Sequence, residues 1–390
     1  MLTDEQNSVL FHVIRNKNIF LSGVPGSGKS FTLSYIVQKL ESLKIKFGLT
    51  ATTGTAAVNI NGQTIHSFFG LKPFDKDYIE HVDYLKKERN FLYNRLLRLQ
   101  CLIIEEISML DNVLFDGLSQ ILKIIKKNDK PFGNIQVIFV GDFYQLKPID
   151  NDFCFLSETW NQLNIVEINL KSMIRQKNDP KLQEVLTKIR KGEYHSILES
   201  LINTEFPEHI KPTKLFPKNK EVDLINSTNL KQLNKPFKEY IAKFHDVPFN
   251  NEYNISICEE AQIMITRNLS IEDKIVNGTR AVIKKLGPDY MIVQLFDGKL
   301  TQIQYYKDYI NKEKTKWIEF MPIKVAYAIS IHKSQGATLD AIEVDLGKNI
   351  FADGQAYVAL SRAKKLENIK ITNLSKSSFK IDKRVLERFE

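Results

Sequence analysis

The sequence predicts an α/β protein, on three observations: a short apolar strand that turns through a glycine-rich loop into a helix, an apolar stripe along that helix, and further apolar strands separated by helical stretches. The first strand is Asn18 to Ser22. It runs into Gly23-Val24-Pro25-Gly26-Ser27-Gly28-Lys29-Ser30, after which Leu33, Ile36, Val37, Leu40 and Leu43 recur at three- and four-residue steps and place one helix face against a core. Buried-looking strands follow at Phe47 to Ala51, Cys101 to Ile104 and Ile135 to Val140, separated by helical or irregular stretches, so the first part of the chain is expected to form a parallel α/β sheet. Thr213 to Phe216, Ile323 to Ile329 and Ile369 to Thr372 alternate with helical segments such as Leu182 to Lys191 and predict a second α/β domain. Within it, Thr279 to Leu286, Tyr290 to Phe296 and Leu300 to Tyr306 read as three strands, the last two joined by Asp297-Gly298, a strong hairpin signal. An antiparallel insertion is therefore expected at about 269–320.

Composition narrows the class. The chain has 390 residues, enough for two or three domains, and its 43% hydrophobic and 26% charged content is ordinary for a globular protein. The longest apolar runs, such as Val137 to Val140, fall far short of the roughly 20 residues of a membrane span. The opening residues Met1 to Gln6 carry early acid and no basic-then-apolar profile, so no targeting peptide is expected. Lys and Arg number 55 against 46 Asp and Glu, a net charge of +9 that favours a polyanionic partner. Cys101, Cys154 and Cys258 form no C-x-x-C pair and read as small core residues in a reducing compartment, expected to be the cytoplasm of a prokaryotic or viral system, with nucleus and mitochondrion left open. A second insertion, about 70–100, carries Ile79, Val82, Leu85, Leu92, Leu96 and Leu99 at helical spacing, interleaved with Lys86, Lys87, Arg89, Arg95 and Arg98. A solvated basic helix face is the preferred reading there over a wedge for nucleic acid.

Gly23 to Ser30 matches G-x-x-x-x-G-K-[ST], in which backbone N–H groups curl around phosphates, Lys29 meets the β/γ charge and the Ser30 hydroxyl suits Mg²⁺. Such a loop needs a carboxylate for the metal and a group that orients or deprotonates the attacking water. Cys101 to Glu106 supplies both, with Glu105 toward the metal and Glu106 toward the water. Gly141-Asp142-Phe143-Tyr144-Gln145 ends another strand, and the Gln145 amide suits a γ-phosphate sensor. Thr3 and Gln6 have the spacing of a helix capping box, although Gln6 equally suits a hydrogen bond to adenine; spacing alone favours the cap.

Taken together these segments resemble the superfamily 1 class B (RecD-like) helicases, above all the petite-integration-frequency (PIF) helicases. The resemblance is carried in order by Leu2 to Gln6, the P-loop, Ala51 to Ala57, Thr64 to Phe69, Leu102 to Asp111, Gly141 to Leu146, Ser172 to Gln176, Ile329 to Leu339 and Tyr357 to Ala363. It implies two RecA-like P-loop NTPase domains with ATP between them. These would be 1–170, with an insertion at about 70–100, and 171–268 plus 321–390, with 269–320 an inserted Src-homology-3-like β-barrel. It implies an ATP- and Mg²⁺-dependent DNA helicase that moves 5′-to-3′ along single-stranded DNA as a monomer and unwinds duplex or forked DNA. It also implies roles in replication, repair or recombination. Gln6 then becomes the adenine contact, Gly23, Pro25, Gly26, Ser27, Gly28, Lys29, Ser30, Gln335 and Gly336 the nucleotide site, and Ser30 and Glu105 the metal ligands. Lys29, Glu106 and Gln145 serve hydrolysis, with Arg175 and Arg362 as arginine fingers from the second domain. Thr53, Gly54, Thr64, His66, Phe68, Asn219, His332 and Ser334 are the implied DNA contacts, with His66 or Phe68 stacking on bases.

Three departures from the family pattern stand out. Glu105 occupies a position usually held by Asp, one methylene shorter; Lys147-Pro148 replaces Pro-Pro; and Lys218 stands where Thr is common, as a phosphate contact or an exposed lysine. Two other readings compete: a DNA-stimulated ATPase that remodels protein–DNA complexes without unwinding, and an accessory nucleic-acid-binding subunit with a decayed ATPase. The intact Lys29, Glu106, Gln145, Arg175 and Arg362 argue against decay.

Overall fold

The computed structural model describes every residue except 1, 72–76, 149–150, 207–211, 268, 271–272, 274, 276–277, 296–297 and 310–314. Contacts divide the chain into two units, one of residues 1–195, 352–357 and 379–390, the other of residues 196–351 and 358–378. Residues 171–195 and 379–390 thus group with the first unit, whereas the sequence division assigns them to the second domain.

The first unit is built on a six-stranded sheet whose pairings are all parallel. Its strands are β1 (Ile19–Gly23), β2 (Phe47–Ala51), β3 (Gln63–Thr64), β4 (Cys101–Glu105), β5 (Gln136–Val140) and β6 (Val166–Leu170), in the order β3-β2-β4-β5-β1-β6. Alternation along each strand decides which face a side chain serves. Ile19, Leu21, Ile103, Ile138 and Val140 join Val9 and Val13 of α1 (Asp4–Ile14) and Leu33, Ile36 and Leu40 of α2 (Lys29–Ser42) in one apolar cluster. Phe20 and Phe139 point the other way. Phe20 meets Phe143, Trp160 and Phe389 with ring centroids 5.2, 5.6 and 5.7 Å away, and Phe139 stacks on Trp160 at 5.2 Å. Coverage of both faces is why these strands read as unbroken apolar runs. Of the predicted stripe on α2, Leu43 is exposed, because the helix ends at Ser42 and Leu43 caps it.

Register places the functional segments. Leu21 lies beside Val140, Val140 beside Glu105, and Glu105 beside Ala51. The segments that follow these strands, Gly23 to Ser30, Gly141 to Gln145, Glu106 and Thr52-Thr53, therefore leave the sheet at a single carboxyl edge, where ligands of open α/β sheets bind.

The second unit holds a four-stranded parallel sheet in the order Ala328–Ser330, Thr213–Phe216, Ile342–Leu346, Ile369–Leu374. It also holds an antiparallel sheet of Leu300–Gln304, Tyr290–Leu295, Arg280–Leu286, Gln262–Ile265 and Ile323–Val325, and a second one of Tyr306–Tyr309, Trp317–Phe320 and Lys243–His245. Two sequence expectations are corrected. Ile323 to Ile329 is not one strand: Ile323–Val325 joins the antiparallel sheet and Ala328–Ser330 the parallel one. The antiparallel part is also wider than 269–320, since Gln262–Ile265, Ile323–Val325 and Lys243–His245 pair into it. Its core is the apolar cluster around Ile263, Ile283, Met291, Val293 and Ile303. Phe296 and Asp297 of the expected hairpin lie outside the described residues, while the strands on either side pair antiparallel as expected.

The 70–100 insertion contains two helices, Tyr78–Glu88 and Asn90–Arg98. Val82, Leu85, Leu96 and Leu99 are buried, Ile79 is exposed, and Lys86, Lys87, Arg89 and Arg98 face solvent. All three cysteines are buried and free, and among the described residues no helix is long and apolar enough to cross a membrane.

Candidate nucleotide site and nucleic-acid contacts

The glycines of the P-loop are there for close approach. Gly26 has φ +81, and a Cβ on it would lie 2.4 Å from the Cβ of Arg175; Gly28 has φ +92 and caps α2 with no side-chain hydrogen bond. The first N–H groups of α2 are thus left for an anionic ligand. Ser27 Oγ is buried in this loop without a hydrogen-bond partner among the described residues. Lys29 Nζ donates to the carbonyls of Gly23 (2.6 Å) and Val24 (3.2 Å). Burial pulls its ammonium below the ordinary lysine value, against the raising influence of Asp142, Glu106 and Glu105.

Ser30 Oγ donates to Glu105 Oε1 at 3.3 Å, while Glu105 Oε2 is buried with no hydrogen-bond partner among the described residues. Burial, helped by the charge of Glu106 and opposed by Lys29, holds the Glu105 carboxyl above the usual carboxylate range. Glu106 adopts the left-handed conformation, φ 56 and ψ 45, which a residue with a Cβ takes only at a cost of roughly 1–3 kcal/mol. Thr52 fixes this turn: its N–H donates to Glu105 O (3.2 Å) and its hydroxyl to Glu106 O (3.0 Å). Thr52 is not among the site residues expected from the sequence, although it lies in the Ala51 to Ala57 segment.

Gln6 makes the helix cap and also reaches the P-loop. The capping box is present, with Thr3 N–H donating to Gln6 Oε1 at 3.0 Å and Gln6 N–H to Thr3 Oγ1 at 3.3 Å. The opposite end of the same amide, Nε2, lies 3.1 Å from where a Cβ on Gly28 would be, so it borders the P-loop. Gln145 is buried at the end of the 141–145 turn. Arg175 belongs by contacts to the P-loop unit: its backbone N–H donates to Gly26 O at 3.2 Å. Burial brings its guanidinium down to about 10, with Glu106 and Tyr357 acting the other way.

Arg362 lies in the second unit and is 1% exposed. It donates to the carbonyls of Val358 (2.8 Å), Ser334 (3.3 Å) and Ala337 (3.3 Å) and to Ser361 Oγ (2.7 Å), binding together its own helix end and the 334–337 turn. Gln335 is buried in that turn and Gly336 follows at φ +77.

The DNA set divides. Thr53 and Thr64 cap short helices, accepting from Ala56 N–H (3.2 Å) and Ser67 N–H (3.3 Å), and Gly54 has open space around it. His66 and Asn219 are exposed, as is Lys218. His332 is half-buried with its ring stacked on Phe351, and burial lowers its pKa. Two assignments are corrected. Phe68 is core rather than a base-stacking surface: it is 5% exposed, Gly48 leaves room for its ring (a Cβ there would be 2.4 Å from Cζ), and Arg95 covers it at 4.1 Å. Ser334 is fully buried, its hydroxyl committed to Ile331 O at 2.7 Å, so no side-chain phosphate contact comes from it in this conformation. Lys147 forms a 3.8 Å ion pair with Asp353, half-exposed and of small energetic consequence.

The PIF1-like helicase family model matches residues 1–208. The ATP-dependent DNA helicase PIF1 of Danio rerio is 32% identical over 403 residues, covering 95% of this chain and 61% of that protein, so the chain spans about three fifths of the length of such relatives. Among solved structures, the Pif1 helicase of Candida albicans superposes with a TM-score of 0.82 at 29% identity, covering 100% of this chain and 99% of that one. Pif1 helicase from Bacteroides in complex with ADP-AlF3 and ssDNA superposes with a TM-score of 0.72 at 26% identity, covering 100% and 96%.

Proposed function

The chain belongs to the PIF1-like helicase family, and from that premise we propose that it is an ATP-hydrolysing DNA helicase. It translocates on single-stranded DNA in the 5′-to-3′ direction as a monomer and unwinds duplex DNA. One observation carries the ATPase half of this reading: a P-loop, an acidic pair and a buried glutamine leave one parallel sheet at the same edge, in register. The DNA half is supported by the exposed His66 and Asn219 and by the bound DNA of the Bacteroides relative.

The donor set fits Mg²⁺. A serine hydroxyl and a carboxylate 3.3 Å apart are hard oxygen ligands, and the second carboxylate oxygen is buried without a hydrogen-bond partner among the described residues. Ser30 and Glu105 would hold the ion, which when bound neutralises charge on the β- and γ-phosphates. Burial raises the cost of ionised Glu105, a cost that a bound cation would offset. The chain's own groups do the rest. The N–H groups of Gly26 to Ser30 wrap the phosphates, and Lys29 exchanges its carbonyl partners for phosphate oxygens. Glu106, turned off the sheet by its left-handed backbone, accepts the proton of the attacking water. Gln145 orients that water and the γ-phosphate, and Arg175 meets the charge that develops as the bond to the leaving phosphate breaks, whereas Arg362, its guanidinium bonded to Val358, Ser334, Ala337 and Ser361, holds the 334–337 turn of its own unit. Gln6 Nε2 donates to the adenine ring.

The test is DNA-stimulated hydrolysis. Lys29→Ala is expected to remove single-strand-stimulated ATPase and strand separation together; unwinding that survives would sink the ATP mechanism. Robust DNA-stimulated turnover without strand separation by the wild-type chain would favour the remodelling ATPase.

A further inference from the structure

The 141–145 turn is gripped by residues outside the motif that contains it. Asp142 is fully buried in the first unit, and its carboxylate is met from three directions. Oδ1 accepts from Arg190 Nη2 (3.0 Å) and from Tyr144 N–H (3.3 Å), and Oδ2 accepts from the Tyr357 hydroxyl (3.4 Å). Gln145 N–H in turn donates to Asp142 O at 3.0 Å, so the residue that would sense phosphate is hydrogen-bonded to the residue that carries the buried charge. The Arg190 guanidinium also lies over Tyr144, its Cζ 3.7 Å from the ring centroid. Gly354, at φ +70, packs against the turn too, where a Cβ would stand 2.6 Å from the carbonyl oxygens of both Tyr144 and Gln145.

Arg190 is itself anchored. It is the last residue of helix Pro180–Arg190, whose Leu182, Val185, Leu186 and Ile189 are buried. Burial opposes its charge, but Asp142 and Tyr357 outweigh that and raise its pKa above the ordinary arginine value. A buried carboxylate is tolerated only with a close cation and filled lone pairs, and removing one partner leaves the other charge stranded. The planar guanidinium serves the carboxylate and the ring at once, which a lysine ammonium does not.

We propose that Arg190 is a positioning residue for ATP hydrolysis: by pairing with Asp142 and covering Tyr144, with Tyr357 on the other carboxylate oxygen, it holds the 141–145 turn so that Gln145 faces the γ-phosphate. This rests on the reading of Gln145 as the sensor. Arg190 contacts the turn, not the nucleotide, so its effect must pass through Gln145.

A double-mutant cycle on the whole chain decides it. Steady-state ATP hydrolysis at saturating single-stranded DNA is measured for wild type, Arg190→Met, Gln145→Ala and the double variant, below the melting point of each. Gln145→Ala is expected to lower kcat by about 100-fold, as for loss of one transition-state donor, and Arg190→Met by about 10-fold or more with binding of fluorescent ADP changed less than about threefold. The double variant should be no slower than Gln145→Ala, within about threefold, because coupled residues are non-additive. Losses that multiply, or normal kcat in Arg190→Met, would overturn the proposal alone. Normal kcat in Gln145→Ala would remove the sensor reading and the proposal with it. If Arg190→Met does not fold, Tyr357→Phe goes through the same cycle, with a few-fold loss of kcat expected in the wild-type background and none in Gln145→Ala. Equal losses in both backgrounds would overturn it.

Discussion

The carboxyl edge of the first sheet and the Ser334–Arg362 cluster of the second unit both carry family motifs, yet the polar groups of Ser27 and Glu105 are in the opposite condition to those of Ser334 and Arg362. At the sheet edge Ser27 Oγ and Glu105 Oε2 are buried without partners among the described residues, and Glu106 is held in a costly backbone conformation. In the 331–337 turn the Ser334 hydroxyl bonds Ile331 O, and Arg362 bonds three carbonyls and a hydroxyl of its own unit. Unmet polarity and strain mark where a ligand completes the structure; satisfied polarity marks where a motif residue first builds the scaffold. The same motif prominence in sequence covers both.

The largest expected effect sharpens the sheet-edge side. Glu106→Gln should cut ATP turnover by about 10²–10⁴-fold, the range for loss of a general base, while nucleotide binding followed by fluorescence stays intact. Normal turnover would move the base elsewhere. Next is Phe68 against His66, two residues two positions apart in one motif. Phe68→Ala should lower folding stability by about 3–5 kcal/mol, as for a buried aromatic, seen as a drop in melting temperature, with little change in single-strand affinity per folded molecule. His66→Ala should leave the melting temperature unchanged and weaken single-strand binding by about 1 kcal/mol or more, the lower end for a stacked base. The reverse pattern would return Phe68 to the DNA surface. Arg362→Ala stands beside Phe68→Ala in size, since three carbonyls are left unpaired at about 1–3 kcal/mol each. Thermal unfolding is the check, and an unchanged melting temperature would show that the guanidinium does not hold the 334–337 turn.

Much of this was legible in the residues. β4 and β5 stand where apolar patterning predicts, because strands covered on both faces announce themselves as continuous apolar runs. β6 was not visible, since Val166, Glu167, Ile168 and Asn169 alternate with only Leu170 fully buried, as suits the edge of a sheet. Helix Asn112–Lys126 was likewise passed over despite its buried Phe115, Leu118, Ile121, Leu122 and Ile125 at helical spacing. Ile323 to Ile329 misled because one apolar run serves two sheets, which periodicity alone does not separate. At the site, Lys29, Ser30, Glu105 and Glu106 follow from the chemistry of phosphate, and their convergence is what register then supplies. Phe68 and Ser334 could not be sorted from sequence, because whether an aromatic or a hydroxyl is buried depends on distant partners such as Gly48 and Ile331. Asp142, Arg190 and Tyr357 escaped for the same reason: an ion pair between residues 48 positions apart has no local signature.

The most direct measurement is ATP-driven strand separation on matched duplexes carrying either a 5′ or a 3′ single-stranded tail, at one stated salt concentration because phosphate contacts make affinity salt-dependent. Unwinding of the 5′-tailed duplex, absent without ATP and absent in Lys29→Ala, is the result predicted here. Preferential unwinding of the 3′-tailed duplex, or strand separation that does not need ATP, would contradict it.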